Sequence, residues 1–355
     1  MTADTAGRQR PRRWIWWVGL GLAALVGGLV GGIIVNRVSE SGPAGQDAAC
    51  ASTTIAKDVL PTIVTVNAGT ASNGGSGSGE IIRADGYVLT NDHVISAAAN
   101  GGTINVVLTD GESAQAAIVG RDPATDLAVI RASGLRSPRV IAFGSSDTLG
   151  VGQPVVALGS PLGLSSSVTT GIVSALGRNV QLPGQSDQSA LLVDAIQTDA
   201  AINPGNSGGA LVDCAGKLVG IPTAGAVVPS PSGQPSAGNI GIGFAIPVKL
   251  AKLVSDELIS TGTVSHAEFG LQVSPTRQAG TNGGLFVTQV RSGGPASSAG
   301  LQAGDVITKI KDQPARSTDQ LIALTLTKRA GDTVSLTYQR QGQSRNTTVT
   351  LGSQQ

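Results

Sequence analysis

The sequence predicts a mainly β protein: two β-barrels, then a smaller C-terminal domain of strands and one helix, behind an N-terminal transmembrane helix. Three observations predict it. Short β-branched runs recur from Ile55 to about Pro247, separated by Gly, Asp-Gly or Pro, which is the spacing of barrels or sandwiches. A helical period replaces them at Pro247–Ser260, where Leu250, Leu253, Val254 and Leu258 share one face. An uncharged apolar stretch runs from Trp14 to Val35. Composition agrees with this reading. Gly is abundant, 50 of 355 residues, without a G-X-Y period, so it marks tight turns rather than collagen. Only 13% of residues are charged and the net charge is +1. That excludes a disordered chain and a basic nucleic-acid binder. With two Cys and two His in the chain, no four-ligand zinc site is expected, and no cofactor or other metal is implied.

Residues 1–13 read as a cytoplasmic tail, with Arg8, Arg10, Arg12 and Arg13 against one acid, Asp4. Residues 14–35 follow as 22 uncharged positions. At about 1.5 Å per residue they span roughly 33 Å, enough for a hydrocarbon core of about 30 Å. The positive-inside rule puts everything after Asn36 outside the cytoplasm, a single-pass topology in the cell membrane. The rival is a cleaved signal peptide, whose apolar core of about 7–15 residues is shorter and precedes a small-x-small site. Residues 36–54 are small and polar, a linker. Residues 55–260 hold the barrel runs, among them Pro61–Val66, Tyr87–Thr90, Ile104–Leu108, Leu127–Ile130 and Pro154–Leu158, with a break near Ser133–Arg139. Asp85-Gly86 and Asp110-Gly111 suit hairpin turns. The helix at Pro247–Ser260 closes the barrels. Residues 265–353 form the last domain, with strands at Leu285–Val290, Asp305–Ile310, Thr333–Gln339 and Asn346–Leu351 and a helix at Thr318–Lys328. Gly69–Gly79, Arg178–Gln188 and Gly225–Gly238 are expected as surface loops.

Chemistry concentrates in Thr198–Leu211 (TDAAINPGNSGGAL). Ser207 between Gly-Asn and Gly-Gly suits a nucleophile. Gly205 lets the backbone turn so that its own N–H and that of Ser207 point to one spot, an oxyanion hole for acyl transfer. Gly208 and Gly209 would leave room for substrate. A base is required, and the chain offers only His93 and His266. His93 stands at the end of an apolar strand in TNDHVI; His266 lies in the link before the last domain. The orienting acid is Asp126, directly before an apolar strand, with Asp122 and Asp92 as rivals. Asp92 would point away from His93 in a strand.

The order His93, Asp126, Ser207 is that of chymotrypsin-type proteases. From about Ile55 onward the chain resembles the HtrA (DegP/DegS-like) serine proteases, through TNDHVI (90–95), DPATDLAVI (122–130), ALGSPLGL (157–164), TTGIVSALGR (169–178), TDAAINPGNSGGAL (198–211) and NIGIGFAIP (239–247). The resemblance implies a chymotrypsin-like double β-barrel and an ATP-independent endopeptidase for unfolded or damaged exported proteins. Ser207 would attack the scissile carbonyl, His93 would carry the proton and Asp126 would hold the imidazole. Gly205 and Ser207 would supply the oxyanion donors, with the Asn206 peptide setting the hole. Ile202 would line the primary pocket with the Thr223-Ala224 and Ile240–Ile242 strands, favouring small or medium aliphatic residues. Pro222 departs from the family, which often carries Asn there, and Pro lacks a backbone donor.

The last domain resembles the family's PDZ domain. Glu268, Phe269, Gly270 and Leu271 match its carboxylate-binding loop, and GPASSAGLQAGDVI (294–307) supports the match. C-terminal peptides are the partners this implies, with a homo-oligomer, a trimer by resemblance, alongside the lipid bilayer and exported substrates. Cys50 and Cys214, an even count in an oxidising compartment, are expected to pair. The competing reading is a PDZ-bearing chaperone or stress sensor whose protease activity is latent.

Overall fold

The structure, a computed structural model, describes residues 50–70, 74–160, 167–182, 190–225, 241–276 and 283–354. The apolar stretch 14–35 lies outside them. No helix among the described residues is long and apolar enough to cross a membrane.

Helix α1 (Ser52–Val59) leads into strands β1 (Ile63–Gly69), β2 (Gly74–Ile81) and β3 (Tyr87–Thr90), the short helix α2 (Asp92–Ile95), and strands β4 (Thr103–Leu108), β5 (Ser113–Asp122) and β6 (Leu127–Ala132). The second half holds β7 (Pro154–Gly159), β8 (Ser167–Gln181), β9 (Leu191–Thr198), β10 (Ala210–Val212), β11 (Leu218–Gly225) and β12 (Gly243–Pro247), then helix α3 (Val248–Thr261). Both halves close into antiparallel barrels with one topology, β1-β2-β3-β6-β5-β4 and β7-β8-β9-β12-β11-β10. Gly86 and Gly111 take φ 88° and 87° in the expected hairpin turns, a conformation glycine adopts without a Cβ clash.

The barrel strands look like continuous hydrophobic runs because both faces are buried. Val64, Val66, Ile81 and Val88 fill the interior of the first barrel. Their neighbours Ile63, Ile82 and Leu89 point the other way, into a core shared with Val156, Leu158, Val212 and Ile221 of the second barrel. Val155, Ala157 and Leu211 fill the interior of the second barrel. The period of two is therefore present, but it sorts residues between cores rather than between core and water. Helix α3 seals the shared core with Leu250, Val254 and Leu258, and α1 adds Ile55 and Val59. Gly262 ends α3 in the left-handed conformation, φ 79°. A disulfide ties Cys50, just before α1, to Cys214 in the hairpin after β10.

Two sequence expectations change here. Residues 74–79 are strand, not surface loop. A Cβ on Gly77 would lie 2.6 Å from Val94 Cγ2, and one on Gly79 would lie 2.5 Å from Val88 Cγ1. These glycines serve close packing, which overrides their low strand propensity. Similarly, β8 continues through Arg178–Gln181, bulging against β9 near Ala175 and Arg178.

Glu80 of β2 is fully buried, paired with Ile63 and Leu89 of the core shared between the barrels, and among the described residues neither carboxylate oxygen meets a neighbouring residue's hydrogen-bonding group. Burial raises its pKa well above the usual carboxylate value. A raised folded-state pKa gives a contribution fully present below the unfolded pKa and lost as pH rises toward the folded one. Glu80→Gln should therefore gain stability over the parent as pH rises above the usual carboxylate value. Urea unfolding at pH 5 and pH 8 measures this; parallel pH dependence in the two proteins would rule it out.

The C-terminal domain contains β13 (Ala267–Glu268), β14 (Leu271–Thr276), β15 (Gly284–Val290), helix α4 (Pro295–Ser298), β16 (Val306–Ile310), β17 (Gln313–Pro314), helix α5 (Asp319–Thr327), β18 (Thr333–Arg340), β19 (Gln343–Thr350) and β20 (Gly352–Ser353). Its main sheet runs β14-β15-β16-β18-β19, which leaves β14 at an edge beside α5. Leu285, Val287, Ile307, Leu336 and Val349 form the core with Leu321 and Leu324 of α5.

Candidate active site

Asp126 stands at the turn into β6 with φ 57°, a left-handed conformation that Asp tolerates better than most residues. Its carbonyl oxygen accepts from Asn91 Nδ2 at 2.8 Å and from the Asp92 amide at 3.2 Å. That grip places α2 beside it. The Asp126 carboxylate then accepts from the His93 amide at 3.0 Å and meets His93 Nδ1 at 2.9 Å. Thr223 Oγ1 of β11 donates to the same carboxylate. An ionised carboxylate only accepts, so Nδ1 carries the ring proton and Nε2 keeps a lone pair. His93 therefore sits on a short helix rather than at a strand end, so its backbone amide as well as its ring reaches Asp126.

The rival acids have other partners. Asp92 pairs with Arg121 through two contacts of 2.7 and 2.9 Å. Burial raises its pKa, against the opposing pull of Arg121. Asp122 accepts from Thr125 Oγ1 at 2.5 Å and meets His266 Nε2 at 2.8 Å. The two histidines are thus each matched to a different carboxylate, and His266 belongs to the contact between the domains.

Ser207 follows a tight turn. Asn206 N–H donates to the Asn203 carbonyl at 2.9 Å, with Pro204 and Gly205 at the turn's central positions and Gly205 at φ 99°. Pro followed by a positive-φ Gly is the type II signature. Among the described residues, the Gly205 and Ser207 amides donate to no protein acceptor. Among the described residues, two unspent donors therefore lie at the serine, its own amide and that of Gly205. Ser207 Oγ itself donates to the Thr223 carbonyl at 3.1 Å. The Asn206 side chain is buried and donates to the Ala201 carbonyl at 3.2 Å.

Gly208 and Gly209 serve packing rather than substrate access. A Cβ on Gly208 would meet the Ser78 carbonyl and Thr90 Oγ1, and one on Gly209 would meet the Leu158 carbonyl. Pro222 costs β11 less than its missing donor suggests: it lies at a register shift against β12, and its carbonyl accepts from Gly208 N–H at 2.9 Å. Ile202 is buried with the second barrel's core, close enough to Gly243 that a Cβ there would lie 2.5 Å from Ile202 Cγ1. Ile242 is half-buried and precedes β12, so the strand starts at Gly243. Ala224 lies in β11, and Ile240 lies outside the described residues. Thr223, expected in the primary pocket, instead turns its hydroxyl to Asp126. No local signal marks that role, since the two residues are 97 apart in sequence.

Burial pulls the His93 pKa down, but the Asp126 hydrogen bond and the charges of Asp126 and Asp92 outweigh it, leaving a net rise from the usual 6.5. Protonated Nε2 cannot accept a proton from serine. Activity should therefore be present at high pH and lost as pH falls through a midpoint above 6.5. A kcat/KM profile with its acid midpoint below 6.5 would contradict this electrostatic picture.

In the C-terminal domain a groove of about 700 Å³ runs between β14 and α5, lined by Phe269, Gly270, Leu271, Val273, Leu321, Ile322 and Thr325. Gly270 takes φ 68°. The Phe269 and Gly270 amides donate to no acceptor among the described residues. Glu268 pairs with Arg291 beside them. Phe269 is only 4% exposed and packs into the domain core.

The trypsin-like peptidase domain family matches residues 77–221, and the PDZ domain family matches residues 267–351. The fold and site define a serine endopeptidase with one PDZ domain. Serine protease PepD of Mycobacterium tuberculosis is 43% identical over 97% of this chain and 79% of its own. Periplasmic serine endoprotease DegP of Salmonella typhimurium is 40% identical over 81% of this chain, which spans 60% of that relative. The solved structure of the HtrA-type protease AlgW with tripeptide matches 86% of this chain and 98% of that one, with TM-score 0.68 and 38% identity. The chain belongs to the HtrA family of serine proteases.

Proposed function

We propose that this protein is a membrane-anchored, extracytoplasmic protease that cleaves unfolded or damaged exported proteins under the control of its PDZ domain. The observation that carries the chemistry is the convergence of His93, Thr223 and the His93 amide on Asp126, with Ser207 bonded to the same Thr223 and the Gly205 and Ser207 amides unspent among the described residues. Ser207 Oγ attacks the carbonyl carbon while His93 Nε2 takes its proton. The Asp126 carboxylate stabilises the imidazolium, and the Gly205 and Ser207 amides receive the oxyanion. His93 returns the proton to the leaving amine. Water, deprotonated by the same ring, then releases the acyl group. By likeness to the family, the proposal also assigns Ile202 to the primary pocket, which favours small or medium aliphatic residues at the cleaved position.

The anchor rests on residues 14–35 and the arginines before them. The Cys50–Cys214 bond supports an oxidising compartment, and the periplasmic naming of the DegP relative agrees. Assembly as a trimer is part of the same proposal, by likeness to the family. The Ser207 hydroxyl bond to the Thr223 carbonyl favours a resting state in which the serine must rotate before attack, as a protease held latent until its PDZ domain binds peptide would require.

The PDZ groove is proposed to take the C-terminus of a misfolded exported protein as a strand added to β14, its carboxylate on the Phe269 and Gly270 amides. Affinity should be of order micromolar, about 8 kcal/mol. Phe269→Asp would disrupt the core, so Ile322, 40% exposed on the groove, is the cleaner probe. Ile322→Asp should weaken binding about tenfold or more by facing a charge to an apolar side chain. Calorimetry with peptides bearing a free or an amidated C-terminus tests the mode. Equal affinity for the two would exclude carboxylate recognition, and with it the proposed control.

A further inference from the structure

We infer that Ser78, in the first barrel, is the positioning residue that holds the oxyanion-binding turn of the second barrel in its working shape. The inference rests on reading the Gly205 and Ser207 amides as the oxyanion donors. A glycine at φ 99° provides the turn but leaves its backbone free to adopt many other conformations. Something must remove that freedom before the donors are preorganised, and fixed donors are what make such a site effective.

Ser78 is fully buried and makes bonds on both sides of the turn. Its hydroxyl donates to the Gly205 carbonyl at 2.6 Å. It accepts from the Ser160 amide at 2.8 Å. A hydroxyl has one proton, so with Ser160 N–H on a lone pair, the proton is left for Gly205. The Ser78 amide donates to the Ser207 carbonyl at 2.8 Å. The Ser78 carbonyl in turn accepts from Thr90 Oγ1 at 2.6 Å, which fixes the strand itself. The peptide after Gly205 and the peptide after Ser207 are therefore both tied to β2. Each donor amide sits directly before a tied carbonyl.

Every one of these bonds to the turn crosses from one barrel to the other. The hole is thus complete only while the barrels are docked. Ser78 does not touch substrate; it acts through the backbone of Gly205 and Ser207. Removing its hydroxyl leaves the half-buried Gly205 carbonyl and the buried Ser160 amide without that partner.

The test uses the full-length protein and an alkyl fluorophosphonate. Ser207 Oγ bonds to phosphorus, fluoride leaves, and the serine proton passes to His93, with the phosphoryl oxygen in the oxyanion position. Two quantities are read: the rate constant of labelling and the final fraction labelled. For Ser78→Ala the rate constant should fall about 10–100-fold, less than the 10²–10³ typical for loss of a donor itself. The final fraction should still reach completion, and the acid midpoint of the rate should stay where it is in the parent. Ser78→Cys, with a weaker donor of similar size, should fall between the two and replaces Ser78→Ala where that variant does not fold. A parent-like rate constant in the folded variant overturns the inference. So does a lower final fraction with an unchanged rate constant, which would mean a role in folding alone. Should the parent itself label no faster than its His93→Ala variant, the underlying reading of the site fails instead.

Discussion

Ser207→Ala should abolish hydrolysis of an unfolded substrate such as casein, with kcat lower by about 10⁴–10⁶-fold. His93→Ala should cost nearly as much, and the double variant should be no worse than either single one. The reason is that nucleophile and base act as one unit: without Nε2 to take the proton, the Ser207 hydroxyl is an ordinary alcohol, and without that hydroxyl the imidazole has no proton to take. Both variants should keep the parent's thermal midpoint within a few degrees, because neither side chain belongs to the hydrophobic cores. Casein digestion by Ser207→Ala at the parent's rate would show that another residue does the work.

The second large effect concerns stability. The Cys50–Cys214 bond closes a loop between residues 164 apart in sequence. In the chain-entropy model such a closure stabilises the fold by about 5 kcal/mol, and measured values for native bonds run to about 2–5 kcal/mol. What it holds is the entry of the barrels, since α1 next to Cys50 contributes Ile55 and Val59 to the shared core. Cys50→Ser and Cys214→Ser should each lower unfolding free energy by that amount, and the two together should cost no more than one. Denaturant unfolding of the three variants is the measurement; a loss under about 0.5 kcal/mol would show that the segment holds without its tether.

The parts of this protein that can be read from its sequence are those where local chemistry decides. Gly205 announces a turn before Ser207, and the structure has one, with Pro204 and Gly205 at its central positions. The period in α3 survives because one face meets the core while the other meets water. Barrel strands are recognisable as runs, but their alternation is hidden where both faces are buried. His93 reads as the end of a strand because it follows the apolar run Tyr87–Thr90; hydrogen bonds from the Asp92 and His93 amides to Asp126, 33 residues on from His93, hold it in a short helix instead. Thr223 and Ser78 carry no local mark at all. Each is an ordinary strand residue whose hydroxyl meets a partner about 100 or more residues away, Asp126 for one and Gly205 for the other. The glycines around Ser78 suggest a loop until Val88 and Val94 are seen against them. Long-range pairing of this kind follows from barrel closure, which no window of sequence contains.

Mass spectrometry after fluorophosphonate treatment tests the catalytic assignment most directly. The parent protein should carry one adduct, on the peptide containing Ser207, formed orders of magnitude faster than in His93→Ala and absent from Ser207→Ala. An adduct on a different residue, or labelling of Ser207 at an undiminished rate in His93→Ala, would contradict the assignment of Ser207 and His93 as nucleophile and base.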